Sequence, residues 1–199
     1  MTEPVPPLSL SDLKMRLRYG EVHERLSALE ELAAHGAAAA PIMADVAEQF
    51  RLSPHSFPSS LLTRVYVATH SPELLSALRA VGDWHRFNTW EKCDLLEAGL
   101  QEMEPPLRDY LARNWERPGH PERVRIVEAL GRAGLAEAFE YLRVIEFRLA
   151  ERVRTEGLRL TREKHDLVEQ FEHRADAQFL SAVKESIEKL RSRIETGAN

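Results

Sequence analysis

The sequence predicts an all-α protein, an α-solenoid of about four stacked helical hairpins closed by C-terminal capping helices. Three observations carry this expectation. Glycine is scarce (9 of 199 residues), and the β-branched runs and Asn-Gly or Asp-Gly turns that announce strands are absent. Ala, Leu, Glu and Arg dominate, with apolar residues spaced by three and four. Helical stretches also recur in pairs, broken by Gly or Pro, with a period of about 33 residues. Such pairs hide their apolar faces only by stacking on their neighbours.

The elements follow in order. Pro4, Pro6 and Pro7 place residues 1–10 in an extended tail, until Ser9 or Ser11 caps a helix to about Tyr19. Val22–His35 carries Leu26, Leu29, Leu32 and Ala33 on one face and stops at Gly36. Pro41 suits a first helical position, and Ile42, Met43, Val46, Ala47 and Phe50 continue a second helix. After the loop Ser53–Pro58, Ser59 or Ser60 caps Leu61–Thr69, and Ser71-Pro72 opens Leu74–Val81. Thr89 caps a helix expected over Trp90–Glu102, and Pro105-Pro106 opens one through Trp115. A break at Arg117–Pro121 precedes Glu122–Arg132. Gly134 ends that helix, and a last one runs from Leu135 to about Val153.

The chain also aligns with itself. Arg123-Val-Arg-Ile-Val-Glu-Ala129 matches Lys92-Cys-Asp-Leu-Leu-Glu-Ala98 at an offset of 31, which also pairs Tyr141-Leu142 with Tyr110-Leu111. Arg25-Leu-Ser-Ala-Leu-Glu-Glu-Leu32 matches Arg123–Leu130 at an offset of 98, carrying Gly36 onto Gly134. The stretch Arg123–Leu142, with an Arg-initiated helix, Glu-Ala-Leu-Gly, a Gly turn and a small-residue-rich helix, resembles a HEAT repeat of the short bacterial kind, found also in phycobilisome-lyase-like proteins. Arg25–Ala47 is similar with a longer alanine turn, and the units near 61–81 and 90–115 use proline in place of the Gly turn. The resemblance covers about residues 22–150. It implies an α-solenoid that binds other proteins, with no fixed catalytic residues.

Residues 151–199 form a separate helical segment expected to pack on or cap the solenoid. Leu167, Phe171, Ala175, Phe179, Val183, Ile187, Leu190 and Ile194 advance by about 3.9 residues per step, above the 3.5 of a left-handed coiled coil. On a straight helix that stripe turns through about half a revolution. The segment is therefore expected either to wrap on the body or to break near Arg174–Ala177.

Composition excludes several classes. Hydrophobic residues at 43% and charged residues at 30% argue against wholesale disorder, and no apolar stretch is long enough for a membrane span. The first residues lack the basic and apolar regions of a secretory signal, and the single Cys93 fits a reducing compartment, so the expected location is cytoplasmic. The net charge is −5. It is −6 over residues 1–147 (16 basic, 22 acidic) and +1 from Arg148 onward (11 against 10). An acidic body makes nucleic acid a poor partner.

The candidate chemistry is sparse. His165, Glu169 and His173 line one helix face at i, i+4 and i+8, a plausible divalent-metal set. That face lies far round the helix from Leu167 and Phe171, however, and is expected to be solvated. Trp84, Phe87 and Trp90 gather at an inter-repeat junction, either as partner anchors or as a core plug. Cys93 occupies an apolar slot and reads as a core residue. The basic stretch of Arg148, Arg152, Arg154, Arg159, Arg162 and Lys164 is read as a mixed-charge helix surface. Arg25 and Arg123 are expected to support repeat turns. No catalytic residue, cofactor or metal is expected.

In HEAT-type stacks the second helix of each pair lines the concave side. The resemblance places Asp45, Glu48, Glu73, Arg79, Arg108, Asp109, Arg113, Glu137, Glu140, Arg143 and Glu146 there, seven acidic and four basic. The expected function is a non-catalytic scaffold or adaptor whose concave face binds a protein or peptide with a basic or mixed surface. Alternatives are a lyase-like enzyme or chaperone acting on a modified protein or chromophore, and a nucleic-acid module using the basic stretch.

Overall fold

A computed structural model describes residues 8–117, 120–160 and 167–196, and among these the chain is all helix with no strand. It divides into two compact units, Met1–Ala98 and Gly99–Asn199.

The first unit contains α1 (Leu10–Tyr19), α2 (Val22–His35), α3 (Met43–Leu52), α4 (Ser59–Thr69), α5 (Pro72–Val81) and α6 (Thr89–Glu97). Local chemistry sets their ends. The Ser9 and Ser71 hydroxyls accept the first free amides of α1 and α5, and Asn88 with Glu91 forms a capping box on α6. Gly36 and Gly82 turn the chain at positive φ after α2 and α5. The alanine-rich linker after α2 is a 3₁₀ turn, Gly36–Ile42, so Pro41 precedes α3 and does not open it. The helix expected to reach Glu102 ends at Glu97. Gly99 sits at φ +98°, where a side chain would be strained, and a 3₁₀ turn follows at Gln101–Met103.

The packing has a register. α2 packs on α4, which packs on α6, while α3 packs on α5. Three bonds join positions 32 residues apart. Arg86 donates to the Pro54 carbonyl (2.9 Å), the Ser59 hydroxyl to Glu91 (3.3 Å) and the Tyr66 hydroxyl to the Ala98 carbonyl (3.3 Å). Two short 3₁₀ turns, Pro54–Ser56 and Trp84–Arg86, also repeat, each followed by a phenylalanine that is 3% exposed, Phe57 and Phe87. Arg86 ties the second turn to the first, donating to the Phe57 carbonyl as well and lying over the Phe50 and Phe87 rings.

The second unit contains α7 (Glu104–Asn114), α8 (Pro121–Ala133), α9 (Ala136–Leu160) and α10 (Leu167–Thr196). The Tyr141 hydroxyl donates to the Arg108 carbonyl (3.4 Å), a separation of 33 residues. α9 runs past the expected end at Val153 and through Gly157. α10 is one helix, with no break near Arg174–Ala177. Its C-terminal half packs Phe179, Val183, Ile187 and Leu190 against α8 and α9. The close approach depends on Gly131, where an added Cβ would lie 2.7 Å from the Ser186 Cβ. Arg193 donates to the Arg132 carbonyl and fills the space beside Gly134 at the end of α8.

The half-turn drift of the α10 stripe takes a third outcome. The helix continues without a break, and its N-terminal apolar residues turn away from the body: Leu167 is 82% exposed and Phe171 64%. The inward face there is polar.

Candidate functional site

In the first unit, α3 and α5 border a groove of about 350 Å³ lined by Ala44, Ala47, Arg51, Pro72, Glu73 and Ser76. The expected surface residues differ in availability. Asp45 is half-buried and accepts from Lys14 (2.7 Å) and from Arg18; the Lys14 hydrogen bond and Arg18 hold its carboxyl below the usual range against the cost of burial. Glu48 is exposed, 3.9 Å from Arg18. Glu73 is exposed and lowered by a bond from the Ser71 hydroxyl (2.7 Å), while Arg79 is exposed on the last turn of α5. Of the aromatic group, Phe87 is buried, Trp84 half-buried and Trp90 exposed. Phe87 therefore belongs to the core plug, with no face left for a partner. Cys93 is fully buried.

In the second unit, α7 and α9 bring Arg108, Asp109 and Glu137 around a residue that sequence reading missed, Glu104. Its side chain is 8% exposed and 3.3 Å from Arg108. Burial raises its carboxyl above the usual range; Arg108 opposes the shift, and Glu137 and Asp109 add to it. Beside it Tyr141 is pushed up to about 12 by burial. Arg113 bonds the Asp109 carbonyl (3.1 Å), and Arg143 pairs with Glu146 (3.2 Å). Asp109, Arg113, Glu137, Glu140 and Arg143 are exposed, and Glu146 is half-buried.

A second polar cluster lies between α9 and α10, beside a cavity of about 250 Å³ whose lining includes Glu116, Arg152, Glu156, Glu172, His173 and Asp176. Asp176, 4% exposed, accepts from Arg123 (3.2 Å) and pairs with Arg152 (2.6 Å). Arg123 also donates to the Trp115 carbonyl (2.5 Å) and lies over Phe179, 4.4 Å from its centroid. Burial lowers the Arg123 pKa, with Asp176 opposing. Arg123 is thus a core strut, tying the end of α7 to α10. Sequence reading missed Asp176: the Phe179–Val183 spacing continued back by four reaches Ala175, one residue before it.

The metal reading fares differently. Glu169 pairs with Arg159 (3.1 Å), and His173 faces α9, 3.9 Å from Glu156 and against Gly157. The expectation of a solvated face is thereby corrected at these two positions, because they and Phe171 have exchanged sides. His165 lies outside the described residues, as do Arg162 and Lys164 of the basic stretch. Among the described residues no group of three His, Cys, Asp or Glu side chains is placed to hold a metal ion. Arg148, Arg154 and Arg159 are exposed, whereas Arg152 is turned inward to Asp176. Nor is any described helix long and apolar enough to cross a membrane.

No family model matches the chain, and neither the curated proteins nor the solved structures contain a significant match to it.

Proposed function

We propose that the protein is a HEAT-like helical-repeat scaffold that binds a protein or peptide of basic or mixed surface through the second helices of its hairpins. The observation that carries this reading is the register of its hydrogen bonds. Neighbouring repeats are joined by hydrogen bonds between positions 32 residues apart in the first unit and 33 in the second, close to the sequence period of about 33. First helices pack on first helices and α3 on α5. A stack with that period exposes the outer faces of α3 and α5, and of α7 and α9, as continuous surfaces.

The α7–α9 surface suits a cationic side chain best. Glu104, Asp109 and Glu137 outnumber the one guanidinium of Arg108 among them, and Glu104 stands where water screens least. An incoming lysine or arginine would oppose the burial that chiefly raises its carboxyl and the smaller repulsion from Glu137 and Asp109.

Wild type and the Glu137→Lys/Glu140→Lys/Glu146→Lys variant, immobilised side by side over source-cell lysate, test the reading. A near-stoichiometric protein captured by the first and lost by the second is expected. Identical capture by both would overturn the surface assignment. A captured chromophore or nucleic acid with no protein would overturn the scaffold reading itself.

A further inference from the structure

Glu104 is a carboxyl without the bonds that burial calls for. Its side chain is 8% exposed, and its buried Oε1 makes no hydrogen bond among the described residues. Arg108 stands 3.3 Å away, outside hydrogen-bonding geometry and with its own side chain 36% exposed. A buried oxygen left in this state is costly, and an incoming donor would satisfy it. The surrounding charges select the donor. Asp109 on α7 and Glu137 on α9 act on Glu104 with the same sign, and Arg108 opposes them. Tyr141 of α9 spends its hydroxyl on the Arg108 carbonyl (3.4 Å). On α8, which packs on α7, Arg123 is committed to Asp176 and Glu128 to Arg132. Three carboxylates thus stand against one guanidinium, and the group that completes the set is a cation with N–H donors.

We propose that Glu104 gates the α7–α9 surface by its own protonation: the carboxylate admits the cationic side chain of a partner, and the carboxylic acid refuses it. This gate rests on the scaffold reading and gives its regulation. Burial raises the Glu104 carboxyl above the usual range, with Glu137 and Asp109 adding to the shift and Arg108 opposing it. A guanidinium at Oε1 attracts the charged form, so binding it releases a proton wherever Glu104 is still protonated. Affinity therefore falls as pH falls through the raised value, and by linkage a bound cation draws that value down. Arg108, which reaches the surface, is the side chain that gives way to the newcomer.

N-acetyl-arginine methylamide is the probe, with its citrulline analogue as a neutral control of similar shape. Binding to the full chain is followed by NMR at the amides of Glu104, Arg108 and Glu137. Wild type is expected to bind the arginine probe at least about threefold more weakly at about pH 5 than at about pH 7.5, and the citrulline probe at neither. Glu104→Gln is expected to lose that pH dependence. The Glu104 carboxyl carbon gives the reciprocal reading without a variant, since saturating arginine probe should lower its titration midpoint. No arginine response near neutral pH, a pH dependence that survives Glu104→Gln, or an unmoved midpoint overturns the proposal. Lysate capture judges the scaffold reading separately. A partner held by wild type and lost by Glu137→Lys/Glu140→Lys/Glu146→Lys, with no arginine response at Glu104, overturns the gate alone. Identical capture by both proteins, beside a proton-linked arginine response, overturns the surface assignment for that partner and upholds the proton linkage.

Discussion

At the scale of single residues, the informative positions are charged groups held away from water. Asp176 is the shared counter-charge of Arg123 and Arg152 inside the second unit. Replacing it with Asn leaves a buried guanidinium without its counter-charge, and urea unfolding should show a loss of about 3–5 kcal/mol. Glu104 has the opposite sign of effect. Its carboxyl pKa is raised in the folded state, so folding favours the protonated form. The stability it contributes is complete below the unfolded carboxyl range, near pH 4.3, and declines as pH rises through the raised folded value. Glu104→Gln should therefore match wild type in thermal midpoint near pH 3.5 and exceed it at pH 7. Equal midpoints at both pH values would mean that Arg108 fully offsets the burial. Asp45 behaves conversely: with its carboxyl lowered by Lys14 and Arg18, its contribution is present above pH 4 and fades in acid. Neither Glu104 nor Asp176 announces itself by motif. Their importance comes from burial, which depends on which other helices arrive.

At the scale of elements, two close approaches set the spacing of the helices. Gly131 lets α10 lie against α8 at Ser186. Gly131→Ala places a Cβ against backbone as well as side chain, at 2.9 Å from the Ser186 Cα, and should cost about 1–3 kcal/mol in thermal unfolding. Adding Ser186→Gly should return part of that loss, and a double variant no better than the single one would relocate the clash. Arg86 sets the other spacing, holding the turn at Trp84–Arg86 to that at Pro54–Ser56. Arg86→Ala leaves two carbonyls without these donors and removes a guanidinium from two aromatic rings. A loss of about 1–3 kcal/mol is expected in urea unfolding. Most helix ends were legible, because Ser71-Pro72, Gly36 and Gly134 act locally, although the cap of α6 is Asn88, one residue before the expected Thr89. The end of α6 was not: Lys92–Ala98 continues smoothly in pattern, and only the +98° φ of Gly99 shows that the chain turns there.

At the scale of the whole molecule, the sequence by itself determined the helical class, the order of the helices and the drift of the apolar stripe in α10. These follow from local chemistry: capping bonds, Gly and Pro backbone limits, and the angle of 100° per residue that any helix imposes. Only the tertiary structure decided how the drift is resolved. An unbroken α10 leaves one end of its stripe unburied, and the C-terminal end won the contact with α8 and α9 because Gly131 and Ser186 allow the helices to close there. The same choice turned Glu169 and His173 inward, made Arg123 a strut in place of a turn support, and gathered Glu104, Asp109 and Glu137 from α7 and α9. Periodicity ranks the faces of one helix by polarity, but burial is settled by the shape and charge of the neighbour, which lies tens of residues away in the chain.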